Sequence, residues 1–484
     1  MTMTSIAQLT IGVTDLAAAL LFLYGLKRMS SPVTAPSGIF VAGLGMLVAV
    51  LASFLYVFDV SAAAKPHLMV NVGLGVLALV VGGGFAWWGG KKVAMTAMPQ
   101  MVALYNGMGG GAAGAIAATE LFGNKTQGTT QLVVTLLGAL IGAISLSGSL
   151  IAWAKLEGVI KRPLRLRGQQ YFNILVLLGT LTVAGYLVYV TRGVSSQLLP
   201  IPQLIYLFFG CALIYGILMT LPIGGADMPV VISIYNAATG LAVGLEGFVI
   251  GNPALMIAGM VVGAAGTLLT LLMAQAMNRS VANVLFTNFG GAQKHKAGHI
   301  KGSLKPTAAA DAGIFMRYAK SVIIIPGYGL AAAQGQQKLY EFVKLLRAAD
   351  VSVKFAIHPV AGRMPGQMDV LLAEAGVPYD LIFQLDDINE EFKTTDVALV
   401  IGANDVVNPA ARTDKSSPIF GMPILNADQA KQVYVVKRGQ GKGYADIVNP
   451  LFYADNCNMV YGDAAAVLTM MIEAVRGLGA KAAA

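Results

Sequence analysis

Apolar positions in the first part of the chain run in long unbroken stretches instead of alternating with polar ones. The stretches lie near 7–26, 36–57, 67–89, 96–118, 130–154, 170–191, 198–220, 228–250 and 253–276. Each is close to the roughly 20 residues a helix needs to cross about 30 Å of hydrocarbon. Nine such spans predict a multi-span α-helical membrane bundle over 1–280. Beyond 319 the pattern changes to short β-branched runs, at 321–325, 351–357, 397–401 and 433–437, separated by helical stretches. Runs of that length and composition, spaced by helices, predict buried parallel strands and therefore an α/β Rossmann-like, doubly wound domain over 319–484. The stretch 281–318 between them is small, polar and aperiodic, which predicts a linker.

Composition agrees with a membrane chain. Of 484 residues, 56% are hydrophobic and 12% charged, and the mean hydropathy is +0.68; a soluble protein is far less apolar. The net charge of +9 does not point to nucleic acid, because the basic residues sit largely in short loops between apolar runs. Lys27 and Arg28 follow the first span, Lys91 and Lys92 the third, Lys155, Lys161, Arg162, Arg165 and Arg167 the fifth, and Arg279 the ninth. The alternate loops carry only Lys65, Lys125 and Arg192. Positive loops stay inside, so the expected orientation puts the N-terminus outside and the C-terminal domain in the cytoplasm. No basic region or small-residue cleavage site flanks the first apolar run, so it reads as a retained span. Cys211 and Cys457 lie far apart in different environments, and His67, His295, His299 and His358 show no ligand spacing, so neither a disulfide framework nor a metal site is expected.

Within the spans, glycine and alanine are frequent, as at Gly107–Gly111 and Gly263–Gly266, and close helix packing accounts for most of them. One echo is more specific. Met98-Pro99 with Tyr105-Asn106 in the fourth span recurs as Met228-Pro229 with Tyr235-Asn236 in the eighth, at identical spacing. A true repeat would be parallel and would put Asn106 and Asn236 at similar depth. Asparagine in lipid needs a partner or water, so the pair marks either interhelical hydrogen bonds or a polar pathway. Glu246 is a carboxylate deep in the eighth span, Glu120 lies near the outer end of the fourth, and Asp227 sits at the cytoplasmic mouth of the eighth. An intramembrane carboxylate is a functional suspect, although Glu246 could also be wetted from the outer surface.

The run 321–325 leads directly into Pro326-Gly327-Tyr328-Gly329 and on to Ala332, followed by a helical pattern reaching Ala348. A strand, a G-x-G-x-x-A turn and a helix start make the dinucleotide fingerprint, in which glycine lets the backbone approach a pyrophosphate. An NAD site usually has an acid after its second strand; here that strand ends in His358-Pro359. The fourth run instead ends in Lys437-Arg438, two cations suited to a 2′-phosphate, so the residues favour NADP over NAD.

These residues together resemble the beta subunit of the proton-translocating NAD(P) transhydrogenase, over nearly the whole chain. The motifs are Pro-Gly-Tyr-Gly at 326–329, His-Pro-Val-Ala-Gly-Arg-Met-Pro-Gly at 358–366, Ile-Gly-Ala-Asn-Asp at 401–405, Lys-Arg at 437–438, Gly-Tyr-Ala at 443–445, Asn-Pro-Leu-Phe at 449–452 and Gly-Asp at 462–463. Gly-Gly-Ala-Asp-Met-Pro-Val-Val at 224–231 and Ala-Met-Asn-Arg-Ser at 276–280 extend the likeness into the membrane part. The resemblance implies Re/Si-specific hydride transfer between NAD(H) and NADP(H), coupled to proton translocation across a bacterial inner membrane. It implies an NADP(H) site on this chain from Gly327, Tyr328, Gly329, Ala332, His358, Val360, Ala361, Gly362, Arg363, Gly402, Ala403, Asn404, Asp405, Lys437, Arg438, Gly443, Tyr444, Ala445, Gly462 and Asp463. Asp405 would lie near the nicotinamide as the catalytic-site carboxylate. Asn106, Asn236, Asp227, Glu246, Gly263, Gly266 and Arg279 would serve the proton path and its coupling.

The chain departs from the family where relatives carry a channel histidine, having Asn106, and where a serine usually follows Lys-Arg, having Gly439. It has one dinucleotide fingerprint. The implied partner is therefore an alpha subunit that binds NAD(H), expected as a soluble chain plus a short membrane chain carrying the missing histidine unless Glu246 takes its place, with the full complex a dimer. The alternative is a secondary transporter with an NADP-sensing cytoplasmic domain, since internal repeats are common in transporters.

Overall fold

The computed structural model describes residues 3–31, 33–59, 67–123, 128–160, 164, 168–191, 199–224, 227–278, 280–286, 302–364, 366–439, 441, 443, 445 and 447–482. Arg279, Tyr444, His295, His299 and the loop cations at 65, 125, 161, 162, 165, 167 and 192 lie outside them. The chain divides into two compact units, 1–222 with 232–268, and 223–231 with 269–484.

Among the described residues, nine long helices come first: α1 (Met3–Met29), α2 (Ala35–Ser53), α3 (Leu68–Lys92), α4 (Met98–Phe122), α5 (Thr129–Leu156), α6 (Gln169–Thr191), α7 (Ile201–Thr220), α8 (Met228–Val249) and α9 (Pro253–Ala276). Eight of them are long and apolar enough to cross a membrane; α4 is the exception. It has the length, at 25 residues, but Gln100, Asn106, Glu120 and a run of glycines dilute its hydropathy. It is also well enclosed, with Pro99, Ala103, Asn106, Gly110, Ala113 and Ala117 buried against its neighbours. Proline opens α4 and α8 at the first turn, where its missing N–H removes no helical bond. At the other end of α3, Lys91 and Lys92 lie over the rings of Trp87 and Trp88 at 4.1 and 4.2 Å. That pairing suits a helix end anchored where hydrocarbon meets headgroups.

Two helices fall inside the stretch expected to be linker: α10 (Val281–Phe286) and α11 (Ala309–Arg317). The second is part of the core, since Ala309, Ala312 and Met316 are buried and Gly313 packs on Met471. Its small residues carry too little apolar contrast to show a helical period.

The remaining elements are β1 (Ser321–Pro326), α12 (Tyr328–Ala332), α13 (Gln336–Arg347), β2 (Ser352–Ile357), α14 (Gln367–Glu374), β3 (Ile382–Gln384), α15 (Leu385–Ile388), β4 (Val397–Ile401), α16 (Ala410–Thr413), β5 (Gln432–Lys437), β6 (Cys457–Tyr461) and α17 (Ala464–Ala482). The six strands among the described residues are all parallel, in the order β3-β2-β1-β4-β5-β6, which is the doubly wound arrangement. Both faces are covered, and alternate strand residues serve different cores. Val322, Ile324, Leu399 and Ile401 join one cluster with Phe342, Leu346 and Leu468. Ile323, Ile325, Ala398 and Val400 join the other with Phe392, Leu425 and Leu451. A strand buried on both faces reads as a continuous apolar run. The helix expected to reach Ala348 in one piece is broken after α12, where Gln334 takes a positive φ of 51°. Gly335 follows and caps α13.

Candidate functional site

In a sheet of this order the strand direction of travel reverses between β1 and β4, and the crevice at their carboxyl ends is where such folds take ligands. Gly327 and Gly329 leave β1 there and Gly402 leaves β4. The two turns are in backbone contact: Gly327 N–H donates to the Ile401 carbonyl at 2.8 Å, and Gly329 N–H to the Gly402 carbonyl at 3.0 Å. A Cβ on Gly327 would fall 2.6 Å from Ala403 Cα, and one on Gly329 would fall 2.6 Å from Gly402 Cα. Gly402 has a φ of 68°, and a Cβ there would fall 2.5 Å from Gly329 Cα. Glycine is needed at this position both for the left-handed backbone and for the close approach. The paired turns leave a side-chain-free floor at the switch point.

Around that floor, Asp405 Oδ2 accepts from Ala445 N–H at 3.0 Å, and Gly443 packs directly on the Asp405 carboxylate. Asn449 ties the same turn down: its Nδ2 donates to the Asn404 carbonyl at 3.0 Å and to Asn404 Oδ1 at 3.1 Å. Asn449 was visible in sequence as part of an Asn-Pro pair but not as a site residue; the signal was the proline start of a capped turn. Lys437, at the end of β5, is half-buried with its ammonium 4.7 Å from the Phe452 ring centre. Burial pushes Lys437 below the usual lysine range, and the Asp405 charge acts against that shift. Arg438 is exposed. Gly462 N–H donates to the Lys437 carbonyl at 3.0 Å, and Asp463 Oδ1 accepts from Ala465 N–H at 3.1 Å at the start of α17.

The loop after β2 closes the other side. The Arg363 guanidinium lies 4.0 Å from the Tyr328 ring centre. Gly362 takes a φ of 107°, and a Cβ there would fall 2.6 Å from Gln367 Oε1, the atom that accepts from Arg363 N–H at 2.6 Å. His358 is 1% exposed. Its Nδ1 accepts from Val360 N–H at 3.1 Å, so its Nε2 carries the hydrogen and donates to the Pro423 carbonyl at 2.7 Å. Desolvation lowers its pKa to about 4, with the Pro423 bond and Asp386 opposing. With both ring nitrogens engaged, His358 holds the 358–366 loop in place. A cavity of about 420 Å³ lies behind this loop, lined by Asn389, Arg412, Phe420, Met422, Pro423 and Ile424. None of its lining residues belongs to the expected nucleotide set.

The membrane helices carry a separate polar stripe. On α8, Tyr235, Thr239 and Glu246 share the face turned to α5. Gly148 of α5 leaves room for the Tyr235 ring and Gly138 for the Glu246 carboxylate. Tyr235 OH lies 2.6 Å from Thr220 Oγ1. Since Thr220 Oγ1 donates to the Gly216 carbonyl at 2.8 Å, the tyrosine is the donor in that pair. Ser145 Oγ and Thr239 Oγ1 are 2.5 Å apart, and Asn106 Nδ2 donates to Ser149 Oγ at 3.1 Å. Glu246 is fully buried, and neither of its oxygens has a hydrogen-bond partner. The Asn106 and Tyr235 carbonyls are both reached from the Ser145–Thr239 pair, so the two Tyr-Asn motifs sit at one level. Asn106 is buried and Asn236 half-buried. Gly263 and Gly266 let α8 and α9 touch: a Cβ on Gly266 would fall 2.8 Å from Ala237 N. Asp227 is buried immediately before α8. Ser145, Ser149 and Thr239 were not singled out from sequence, although Ser145 and Ser149 are one helical turn apart in an apolar span.

A family model described as NAD(P) transhydrogenase beta subunit matches residues 11–474. The NAD(P) transhydrogenase subunit beta of Rhodospirillum rubrum is 42% identical over 471 residues, covering 95% of this chain and 98% of that protein. A subunit of the same name from a designated strain of that organism matches equally, at 42% identity over the same shares of each chain. The chain belongs to the NAD(P) transhydrogenase beta subunit family.

Proposed function

We propose that this chain binds NADP(H) at the β1/β4 switch point and, with an alpha partner that binds NAD(H), couples hydride transfer between the two nucleotides to proton movement through the helices. The observation that carries the reading is the pair of glycine turns in backbone contact beside a half-buried cation. A floor without side chains suits a pyrophosphate, and Lys437 with Arg438 suits a 2′-phosphate. When bound, the nicotinamide supplies the hydride chemistry.

The protein residues orient and gate. Gly327, Gly329, Gly402 and Ala403 would hold the dinucleotide, with Tyr328, Ala332, Val360, Ala361, Gly362 and Arg363 on one side and Asn404, Gly443 and Ala445 on the other; Tyr444 is expected to belong to the same set. Asp405 holds the 443–445 segment through Ala445 N–H and so links the occupancy of the site to that segment. His358, Gly462 and Asp463 position these loops. In the membrane, Glu246 and Asn106 offer buried acceptor oxygens without protein partners, which suits a path for protons and water. Asn236, Asp227, Gly263, Gly266 and Arg279 would support that path and its coupling. Coupling requires that the oxidised and reduced nucleotides favour different states of the chain, since a ligand with equal affinity for both shifts nothing.

The domains would divide at 1–280, 281–318 and 319–484, with α11 packed into the third. The cationic loops would face the cytoplasm of a bacterial cell, the N-terminus outside, in the inner membrane. The alpha partner is expected as a soluble chain plus a short membrane chain with a channel histidine, two such complexes forming a dimer. Calorimetric titration of the purified chain with NADP⁺, NADPH and NAD⁺ tests the core of the proposal. Tight binding of the phosphorylated pair and weak binding of NAD⁺ is expected; equal or absent binding would overturn it. Hydride exchange only on adding an NAD(H)-binding partner separates this reading from an NADP-sensing transporter.

A further inference from the structure

We infer that Ser145 and Thr239 form a two-state hydroxyl switch beside the membrane path and act as positioning residues for proton passage. The inference rests on the proton-translocating reading above. Ser145 is on α5 and Thr239 on α8, and their oxygens are 2.5 Å apart. Each hydroxyl also reaches a backbone carbonyl: Ser145 Oγ the Tyr235 carbonyl of α8 at 3.1 Å, and Thr239 Oγ1 the Asn106 carbonyl of α4 at 3.3 Å. A hydroxyl has one hydrogen to donate and can accept as well.

The hydrogens can therefore be arranged in two satisfactory ways. In one, Thr239 donates to Ser145 and Ser145 to the Tyr235 carbonyl. In the other, Ser145 donates to Thr239 and Thr239 to the Asn106 carbonyl. If both donate outward, two oxygens face each other at 2.5 Å with no hydrogen between them, which is repulsive. The two good arrangements differ only in hydroxyl rotation. No covalent bond changes and no heavy atom need move, yet the dipole of the pair reverses between α4 and α8.

The surroundings give the switch something to act on. Asn106 is 8% exposed; its Nδ2 is committed to Ser149, and its Oδ1 is buried without a partner. Glu246 lies two turns beyond Thr239 on the same face of α8, with both oxygens buried and unpartnered. Orphaned buried acceptors at both ends point to water or a hydrated proton as the occupant. Reversing the dipole between them changes which end favours the cation. Alternating access needs such a bistable element. Glycines keep the pair compact: a Cβ on Gly110 would fall 2.9 Å from Ser145 Cβ, and one on Gly109 would fall 3.1 Å from Thr239 Cγ2.

The test uses the assembled complex in liposomes, with Thr239→Val, Thr239→Ser and Ser145→Ala, and reads proton uptake per enzyme together with NADP⁺ affinity. Valine has threonine's shape without its hydroxyl, and serine keeps the hydroxyl. Thr239→Val and Ser145→Ala are expected to slow proton uptake roughly tenfold, about the effect of one positioned hydrogen bond. Thr239→Ser should stay near the wild-type rate, and NADP⁺ affinity should be unchanged in all three. Pumping by Thr239→Val at the wild-type rate would overturn the switch, as would an equal loss in Thr239→Ser. Should the valine variant fail to assemble, Ser145→Ala decides on the same terms. A wild-type complex that binds NADP⁺ but moves no protons would sink the parent reading and this one together.

Discussion

The two regions use glycine for opposite ends. In the helices, Gly138 and Gly148 clear space for side chains, Glu246 and Tyr235, so the polar stripe is made of side-chain chemistry. In the sheet domain, Gly327, Gly329 and Gly402 clear space for backbone, bringing two turns together so that no side chain covers the floor. Lipid explains the first arrangement. Backbone groups in a membrane are spent within the helix, so polar function there must come from Ser, Thr, Asn, Tyr and Glu, and small residues make room for them. Water explains the second, because loops at strand ends have backbone N–H groups available to meet an anion.

The sharpest way to break that comparison is to add one methyl group on each side. Gly402→Ala is expected to cost about 4 kcal/mol or more, combining a disfavoured left-handed backbone with overpacking against Gly329 and Leu330. It should lower the thermal midpoint of the sheet domain and abolish NADP⁺ binding. Gly138→Ala strikes Glu246 instead and should cost about 1–3 kcal/mol. It should suppress proton uptake while leaving NADP⁺ affinity intact. If Gly138→Ala damaged nucleotide binding as badly as Gly402→Ala, the functional division between the regions would fail.

His358 sharpens the sheet-domain side through pH. Its folded pKa of about 4 lies below its ordinary value of 6.5, so the unfolded chain binds the extra proton. The stabilisation is complete above about pH 6.5 and drains away as pH falls toward 4, by roughly 3 kcal/mol in all. Denaturant unfolding between pH 7 and 4 should show this slope, and His358→Gln should flatten it. An unchanged slope would mean the buried imidazole is not the group titrating.

Lys437→Met should weaken NADP⁺ binding by about 2 kcal/mol, near thirtyfold, while NAD⁺ binding changes little. Equal losses for both nucleotides would show that the lysine supports the loop and not the 2′-phosphate. The smallest effect is expected at Gly439, where a Cβ would meet nothing within 4 Å. Gly439→Ser should fit without strain and tighten NADP⁺ by about 1 kcal/mol at most, read by calorimetry as a few-fold gain.

Much of this was legible in sequence. The nine helices fall within a few residues of the apolar runs, because hydrocarbon thickness sets both length and composition. Four of six strands were visible as β-branched runs, and the two missed are informative. β3 has three residues, Ile382–Gln384, too short for any period, and β6 is interrupted by Asn458 and led by Cys457. The glycine fingerprint and Lys437-Arg438 were read in their right setting at strand ends. The reading of 281–318 as linker missed α11, whose alanines declare themselves only once Met471 and the sheet are in place.

The sequence by itself determined the solvent of each region, the identity of most elements and the residue types available for chemistry, because periodicity and hydropathy are local properties. Tertiary structure alone decided which residues meet. It brought Gly402, 73 positions after Gly329 in the chain, against it, placed the Ser145–Thr239 pair between the Asn106 and Tyr235 carbonyls, and gave the His358 Nε2 its Pro423 carbonyl. Each of these is a long-range contact set by strand order or helix packing, and no local pattern of residues encodes it.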